Sequence, residues 1–151
     1  MSKEDTSAQA SQVYRDKEYT QIDIVAITTK EIFVVETKNY AAHIQGNAYN
    51  DEWTVLYENG VNTIKNSVRQ NYGHVEALKY NLSAFPNIRY FSLIVFGKKS
   101  SIGEITGLSE DTYVTQVNQL QDCINAITSD KEDTLSIQDI YEIAKIVKKR
   151  L

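Results

Sequence analysis

Two stretches of alternating apolar and polar residues follow one another early in the chain. Residues 19–27 read YTQIDIVAI, residues 31–40 read EIFVVETKNY, and the polar residues Thr28, Thr29 and Lys30 lie between them. A period of two in segments rich in β-branched residues is typical of strands. The pattern predicts a β-hairpin with its turn near Thr29 and Lys30.

Further strands are indicated along the chain. Residues 52–57 alternate in the same way and end at an Asn-Gly turn signal, and residues 43–46 are a short candidate partner for them. Residues 90–96 are almost all apolar, which is typical of a strand covered on both faces. After a loop rich in Gly and Ser, residues 113–114 predict one more short strand.

Helical spacing, with apolar residues three or four positions apart, appears in three segments of the chain. Asn66 or Ser67 is suited to cap the first helix, and Ser136 with Asp139 forms a capping box before the last. The predicted helices lie at 67–82, 116–128 and 136–150.

These elements predict an α/β domain in which a central mixed β-sheet is flanked by helices. The strands of that sheet are expected at 20–27, 31–38, 52–57 and 90–96. Residues 1–18 are mostly polar, so they are predicted to form an N-terminal tail or a short helix, and residues 19–151 form the domain.

Composition narrows the class of protein. A chain of 151 residues is long enough for one domain with its own core. The net charge of -4 argues against a broad basic surface that binds nucleic acid by phosphate neutralisation alone. The single cysteine, Cys123, excludes an internal disulfide framework and a cysteine-based zinc site. With neither a signal peptide nor a membrane segment in the sequence, a cytoplasmic location is expected.

Three charged residues interrupt the predicted hairpin: Asp23 on the first strand, and Glu36 and Lys38 on the second. Counting outward from the turn places Asp23 close to Glu36. Two carboxylates in a low-dielectric sheet repel each other unless a cation lies between them, and Mg²⁺ takes such oxygen ligands. Lys38, about 6.6 Å along the strand from Glu36, can reach a metal-bound water or a phosphate.

Simpler interpretations of the same charges remain open. Glu36 and Lys38 could form a surface ion pair, and Asp23 could cap a loop or pair with Lys38. The basic residues near the C-terminus are expected to be a solvated helix end that favours the helix dipole, with a nucleic-acid contact as the alternative. They are Lys145, Lys148, Lys149 and Arg150.

The order of these motifs resembles a known family. IDIVAITTKEIFVVETKNY, then IQG, then Trp53 and NSVRQNYGHVEAL resemble the nuclease-related domain, NERD, a branch of the PD-(D/E)XK nuclease superfamily, over roughly residues 20–97. The resemblance implies a restriction-endonuclease-like core and a Mg²⁺- or Mn²⁺-dependent nuclease acting on nucleic acid, with DNA the favoured substrate.

The resemblance also implies roles for individual residues. Asp23 and Glu36 match metal ligands, with the Thr37 carbonyl as a third, and Lys38 matches the catalytic lysine. Gln70 matches a helper near water or phosphate. His74 lies one turn beyond Gln70 and shares its helix face, although a structural role is the expected one. Trp53 is expected to be a packed sheet residue rather than a base-stacking platform.

The N-terminal part of the sequence, before Asp23, departs from the family pattern. The Gly-Glu pair on a leading helix is absent before Asp23, where Glu4 and Glu18 are the acidic substitutes, and a further leading strand is not predicted. The departure leaves three alternatives: a truncated chain, a homodimer in which the partner supplies the helix, or a degenerate enzyme. The second functional hypothesis is therefore a catalytically degenerate domain that acts as a nucleic-acid-binding or protein-assembly module.

Overall fold

The computed structural model describes residues 7–15 and 18–149. They form two β-sheets and three α-helices, which confirms the predicted α/β class. The larger sheet contains β1 (Ser7–Arg15), β2 (Glu18–Ile27), β3 (Ile32–Lys38), β7 (Tyr90–Phe96) and β9 (Thr112–Gln116). The smaller sheet contains β4 (His43–Asn47), β5 (Glu52–Tyr57), β6 (Gly60–Lys65) and β8 (Ser101–Thr106). The helices are α1 (Ser67–Asn81), α2 (Leu120–Thr128) and α3 (Ile137–Lys148).

The larger sheet is mixed and has the strand order β1-β2-β3-β7-β9. The strands β1, β2 and β3 are antiparallel neighbours, whereas β3, β7 and β9 run parallel. The predicted hairpin is confirmed, with Ile24 opposite Val35 and Ile27 opposite Ile32. Apolar residues of α1 and α3 pack on one face of this sheet and those of α2 pack on the other, which buries β7 on both faces.

The smaller sheet has the order β6-β5-β4-β8 and packs against the C-terminal half of β7. Trp53 and Val55 of β5 share a buried cluster with Ile94 and Phe96 of β7. The prediction that residues 52–57 belong to the central sheet is therefore wrong. Alternation identifies a strand, but it does not identify the strand's partner, and β5 pairs with its neighbours β4 and β6.

Three strands of the structure, β1, β6 and β8, were not predicted from the sequence. Residues 7–15 form β1, so the predicted tail or short helix over residues 1–18 is wrong there, and residues 1–6, 16 and 17 lie outside the described part of the chain. β1 is an edge strand paired through its main chain with β2, and such pairing does not require apolar alternation. β6 is largely exposed and β8 lies in the predicted Gly- and Ser-rich loop, so neither shows a strong apolar pattern.

Asn66 is the residue that caps α1. Its Oδ1 accepts hydrogen bonds from the main-chain N–H of Val68 at 2.9 Å and of Arg69 at 3.1 Å. Its Nδ2 donates to the carbonyls of Ala48 at 2.9 Å and Asn50 at 2.7 Å. One buried side chain therefore both starts the helix and holds the β4–β5 turn beside it. The predicted capping box of Ser136 and Asp139 at α3 is also confirmed.

Replacing Asn66 by Ala is expected to lower the free energy of unfolding by about 1–2 kcal/mol, because the cap and two turn contacts are lost together. Asn66→Ser keeps an oxygen that caps the helix but removes the donors to the turn, so an intermediate loss is expected. Urea denaturation of the wild type and the two variants measures their free energies of unfolding. An Asn66→Ala protein as stable as the wild type would contradict the assigned role.

In the described part of the chain, no helix is both long enough and apolar enough to cross a membrane.

Candidate active site

The register of the β2–β3 hairpin brings Asp23 to the C-terminal end of β3. Ile24 lies opposite Val35, so the next position outward on each strand sets Asp23 against Glu36, as the count from the turn predicts. Asp23 Oδ2 accepts hydrogen bonds from the Thr37 N–H at 2.9 Å and from Thr37 Oγ1 at 3.0 Å. No hydrogen bond from a described residue reaches Oδ1, which leaves one carboxylate oxygen for a ligand.

Glu36 and Lys38 form an ion pair that is sheltered from solvent. Lys38 Nζ lies 3.2 Å from Glu36 Oε2, and the two side chains are only 19% and 11% exposed. The same Nζ donates to Gln70 Oε1 on α1 at 2.9 Å. The structure thus brings together Glu36, Lys38 and Gln70, and this pair is not the surface ion pair that the simpler interpretation supposed.

The second carboxylate oxygen of Glu36, Oε1, is buried and accepts no hydrogen bond from the described residues. It lies 3.4 Å from His74 Nδ1, which in turn lies 3.2 Å from Asn71 Oδ1. Burial lowers the pKa of the His74 imidazole, and the nearby carboxylates of Glu36 and Asp23 oppose only part of that effect. This lowering favours the neutral imidazole, which brings no positive charge to the buried Oε1 atom.

Asn71 fixes α1 to the sheet. It is fully buried, and its Nδ2 donates to the Val34 carbonyl and to Ser92 Oγ, both at 2.8 Å. These bonds tie the helix to β3 and β7 at once. Gln70 and His74 are consequently held against the end of β3. Gln70 was predicted to lie in the site, whereas His74 was expected to have a structural role. The helical spacing of four residues between them was the signal for His74.

The arrangement suits a hard divalent cation. Asp23 and Glu36 supply carboxylate oxygens, and the buried Oε1 of Glu36 accepts no hydrogen bond from the described residues. Among the described residues, no group of three or more His, Cys, Asp and Glu side chains could hold a metal ion. Mg²⁺ is commonly bound by one or two carboxylates plus water and substrate phosphate, so the two acidic residues fit this ion.

Two other candidates of the sequence analysis lie in structural surroundings. Trp53 is 1% exposed, and its Nε1 donates to the Asn47 carbonyl at 3.0 Å, so it is a packed sheet residue as expected. Lys145 pairs with Glu142 at 3.8 Å and lies 5.0 Å from the centre of the Tyr141 ring. These contacts of Lys145 agree with the expected solvated helix end, and Arg150 lies outside the described residues.

A large cavity lies elsewhere. It has a volume of about 680 Å³ and lies between α2, α3 and the β2–β3 turn, at the opposite end of β3 from Glu36. None of Asp23, Glu36, Lys38 and Gln70 lines it. Cavity size therefore does not identify the candidate site, which is defined by its buried charges.

The mixed sheet with helices on both faces is consistent with a restriction-endonuclease-like fold, the fold of the PD-(D/E)XK-like nuclease group. Within that group, the chain belongs to the nuclease-related domain family, whose model matches residues 7–97. An uncharacterized protein of Bacillus anthracis is 31% identical over 122 residues, which are 81% of this chain and 57% of that relative. The chain thus spans little more than half of that protein's length. No solved structure is significantly similar to this chain.

The family match includes β1, which precedes the strand that carries Asp23. The further leading strand that the sequence analysis did not predict is thus present. Glu18, one of the two acidic substitutes, is the first residue of β2, whereas Glu4 lies outside the described residues.

Proposed function

We propose that this domain hydrolyses phosphodiester bonds of nucleic acid, with DNA as the favoured substrate and Mg²⁺ or Mn²⁺ as the cofactor. The observation that carries the proposal is the sheltered Glu36–Lys38 pair, in which the buried Oε1 of Glu36 accepts no hydrogen bond from the described residues. A purely structural ion pair would be expected to satisfy its buried oxygens. Membership of a nuclease-related family supports the same chemistry.

The proposed roles are those that the family resemblance implies, and the contacts of the side chains support them. Asp23 and Glu36, with the Thr37 carbonyl, hold the metal ion. When bound, the ion lowers the pKa of a coordinated water and offsets negative charge on the phosphate. The Lys38 ammonium orients the attacking water and neutralises charge that develops on the phosphoryl oxygens. Gln70 positions Lys38 by accepting the hydrogen bond of 2.9 Å from its Nζ.

Isothermal calorimetry with Mn²⁺ tests the metal site without requiring activity. The wild type is expected to bind the ion, and Asp23→Asn or Glu36→Gln is expected to weaken binding by at least about tenfold, because each removes one anionic ligand. Glu104→Gln changes an exposed acidic residue on β8 and serves as the matched control. Equal affinities in all four proteins would remove Asp23 and Glu36 from the metal site.

A non-catalytic module for nucleic-acid binding or assembly is the second candidate. The net charge of -4 favours the assembly role of such a module over nucleic-acid binding. A protein of this kind would keep the fold and the buried pair but would show no metal-dependent cleavage. The homodimer and the cytoplasmic location remain predictions from the sequence.

A further inference from the structure

A tyrosine in a surface turn presents its ring to solvent. Tyr49 lies in the turn between β4 and β5 and is 75% exposed, although large aromatic side chains are usually covered. Its N–H donates to Asn47 Oδ1 at 2.8 Å, which braces the turn. Because this turn is already held in place, a ligand that binds the exposed ring restricts little further conformational freedom of the chain.

The ring of Tyr49 packs against the main chain at Gly107. A Cβ atom at that position would lie 2.9 Å from Tyr49 Cε2 and 3.0 Å from Cδ2, closer than real side chains approach. Gly107 also has a φ of 77°, which other residues rarely adopt. The ring therefore rests against a backbone that has no side chain, while most of its surface stays open.

A cavity lined by polar side chains lies between the end of the β4–β5 turn and the start of α1. Arg69 Nη2 donates to the Tyr49 carbonyl at 2.7 Å, and Arg69 Nη1 forms an ion pair with Asp51. The cavity beside them has a volume of about 460 Å³ and is lined by Asp51, Glu52, Lys65, Asn66, Arg69 and Gln70. Gln70, which lines this cavity, accepts the hydrogen bond from Lys38, so this one residue links the cavity to the proposed catalytic lysine.

The charges around the cavity do not suit a duplex bound by its phosphates. Lys65 and Arg69 are balanced by Asp51 and Glu52, so the cavity carries no net charge. Affinity for nucleic acid at this place must therefore come largely from another source. Stacking of a base on an aromatic ring is such a source, and it requires an unpaired base whose face is free.

We propose that Tyr49 is a stacking platform for an unpaired base, so that the substrate is single-stranded nucleic acid or a single-stranded segment. In this arrangement the nucleic-acid strand runs from Tyr49 past Gln70 to Lys38. Lys65 and Arg69 add little affinity for its phosphates, because Asp51 and Glu52 balance their charge. This inference rests on the proposed function, since it names the substrate class of the same site.

Tyr72 provides a matched control. It is 64% exposed and lies on α1, two residues after Gln70. Two residues correspond to about 200° around a helix, so Tyr72 points away from the side of α1 that holds Gln70. Substituting it removes an exposed tyrosine ring of similar exposure without touching the proposed platform.

Fluorescence anisotropy tests the proposal with a labelled single-stranded DNA oligonucleotide and with the same strand annealed to its complement. All proteins carry Lys38→Met, which keeps the metal ligands and is expected to lower cleavage by at least about a hundredfold, and Mg²⁺ is present. Tyr49→Leu is expected to weaken single-strand binding by about tenfold and to leave duplex binding unchanged. Tyr49→Phe, which keeps the ring, and Tyr72→Leu are expected to bind as the parent does.

The outcomes separate this inference from the proposed function. Single-strand affinity that is unchanged in Tyr49→Leu, or an equal loss for both DNA forms, overturns the stacking platform even if the wild type cleaves DNA. Binding that depends on Tyr49 in a chain whose wild type cleaves nothing supports the platform and overturns hydrolysis. A parent protein that binds neither DNA form overturns the platform.

Discussion

Glu36→Gln and Lys38→Met are each expected to lower Mg²⁺- or Mn²⁺-dependent cleavage of plasmid and single-stranded DNA by about a hundred- to a thousandfold. Glu36→Gln removes a negative ligand while keeping the shape of the side chain. Lys38→Met keeps the aliphatic stem but removes the ammonium that lies 3.2 Å from Glu36 and donates to Gln70. Initial rates of product formation, followed on gels at saturating metal, measure the loss.

The controls for this experiment address folding and trace contamination. Glu104→Gln and Lys99→Met alter exposed residues and are expected to cleave as the wild type does. Circular dichroism of each variant checks that the fold is retained. Equal cleavage by the wild type and both site variants would refute the catalytic assignment. A wild type that binds metal but cleaves neither DNA form would favour the non-catalytic module.

Gly46→Ala is expected to reduce the free energy of unfolding by about 3 kcal/mol, the largest effect of a single added methyl in the smaller sheet. A Cβ at Gly46 would overlap Cγ and Cδ1 of Trp53 and lie 2.7 Å from Cδ2. Trp53 is 1% exposed and donates to the Asn47 carbonyl, so its ring has little freedom to move away. Urea denaturation followed by tryptophan fluorescence measures the change.

A double-mutant cycle shows whether the loss comes from this contact. Trp53→Phe substitutes a smaller ring, so Gly46→Ala should cost less in that background, and circular dichroism replaces fluorescence as the probe. Gly60→Ala is the matched control, because a Cβ at Gly60 meets nothing within 4 Å. The same penalty for Gly46→Ala beside Trp53 and beside Phe would contradict the proposed overlap.

Residue patterns predicted those elements that have a regular apolar face or are apolar almost throughout. The hairpin of β2 and β3, the strands β5 and β7 and the three helices all have an apolar face, and each was predicted near its place. β1, β6 and β8 were not predicted, because strands at an edge or on the surface are stabilised mainly by main-chain pairing. That pairing leaves little trace in the order of apolar and polar residues.

The sequence by itself determined the part of the site that depends on neighbours along the chain. A short turn sets the register of a hairpin, so Asp23 could be placed beside Glu36 and Lys38 by counting residues. Only the tertiary structure decided that the Glu36–Lys38 pair is sheltered, that His74 lies 3.4 Å from Glu36, and that Gln70 reaches Lys38. These contacts depend on how α1 docks on β3 and β7 through Asn71, and docking between distant segments is determined by packing rather than by any local period.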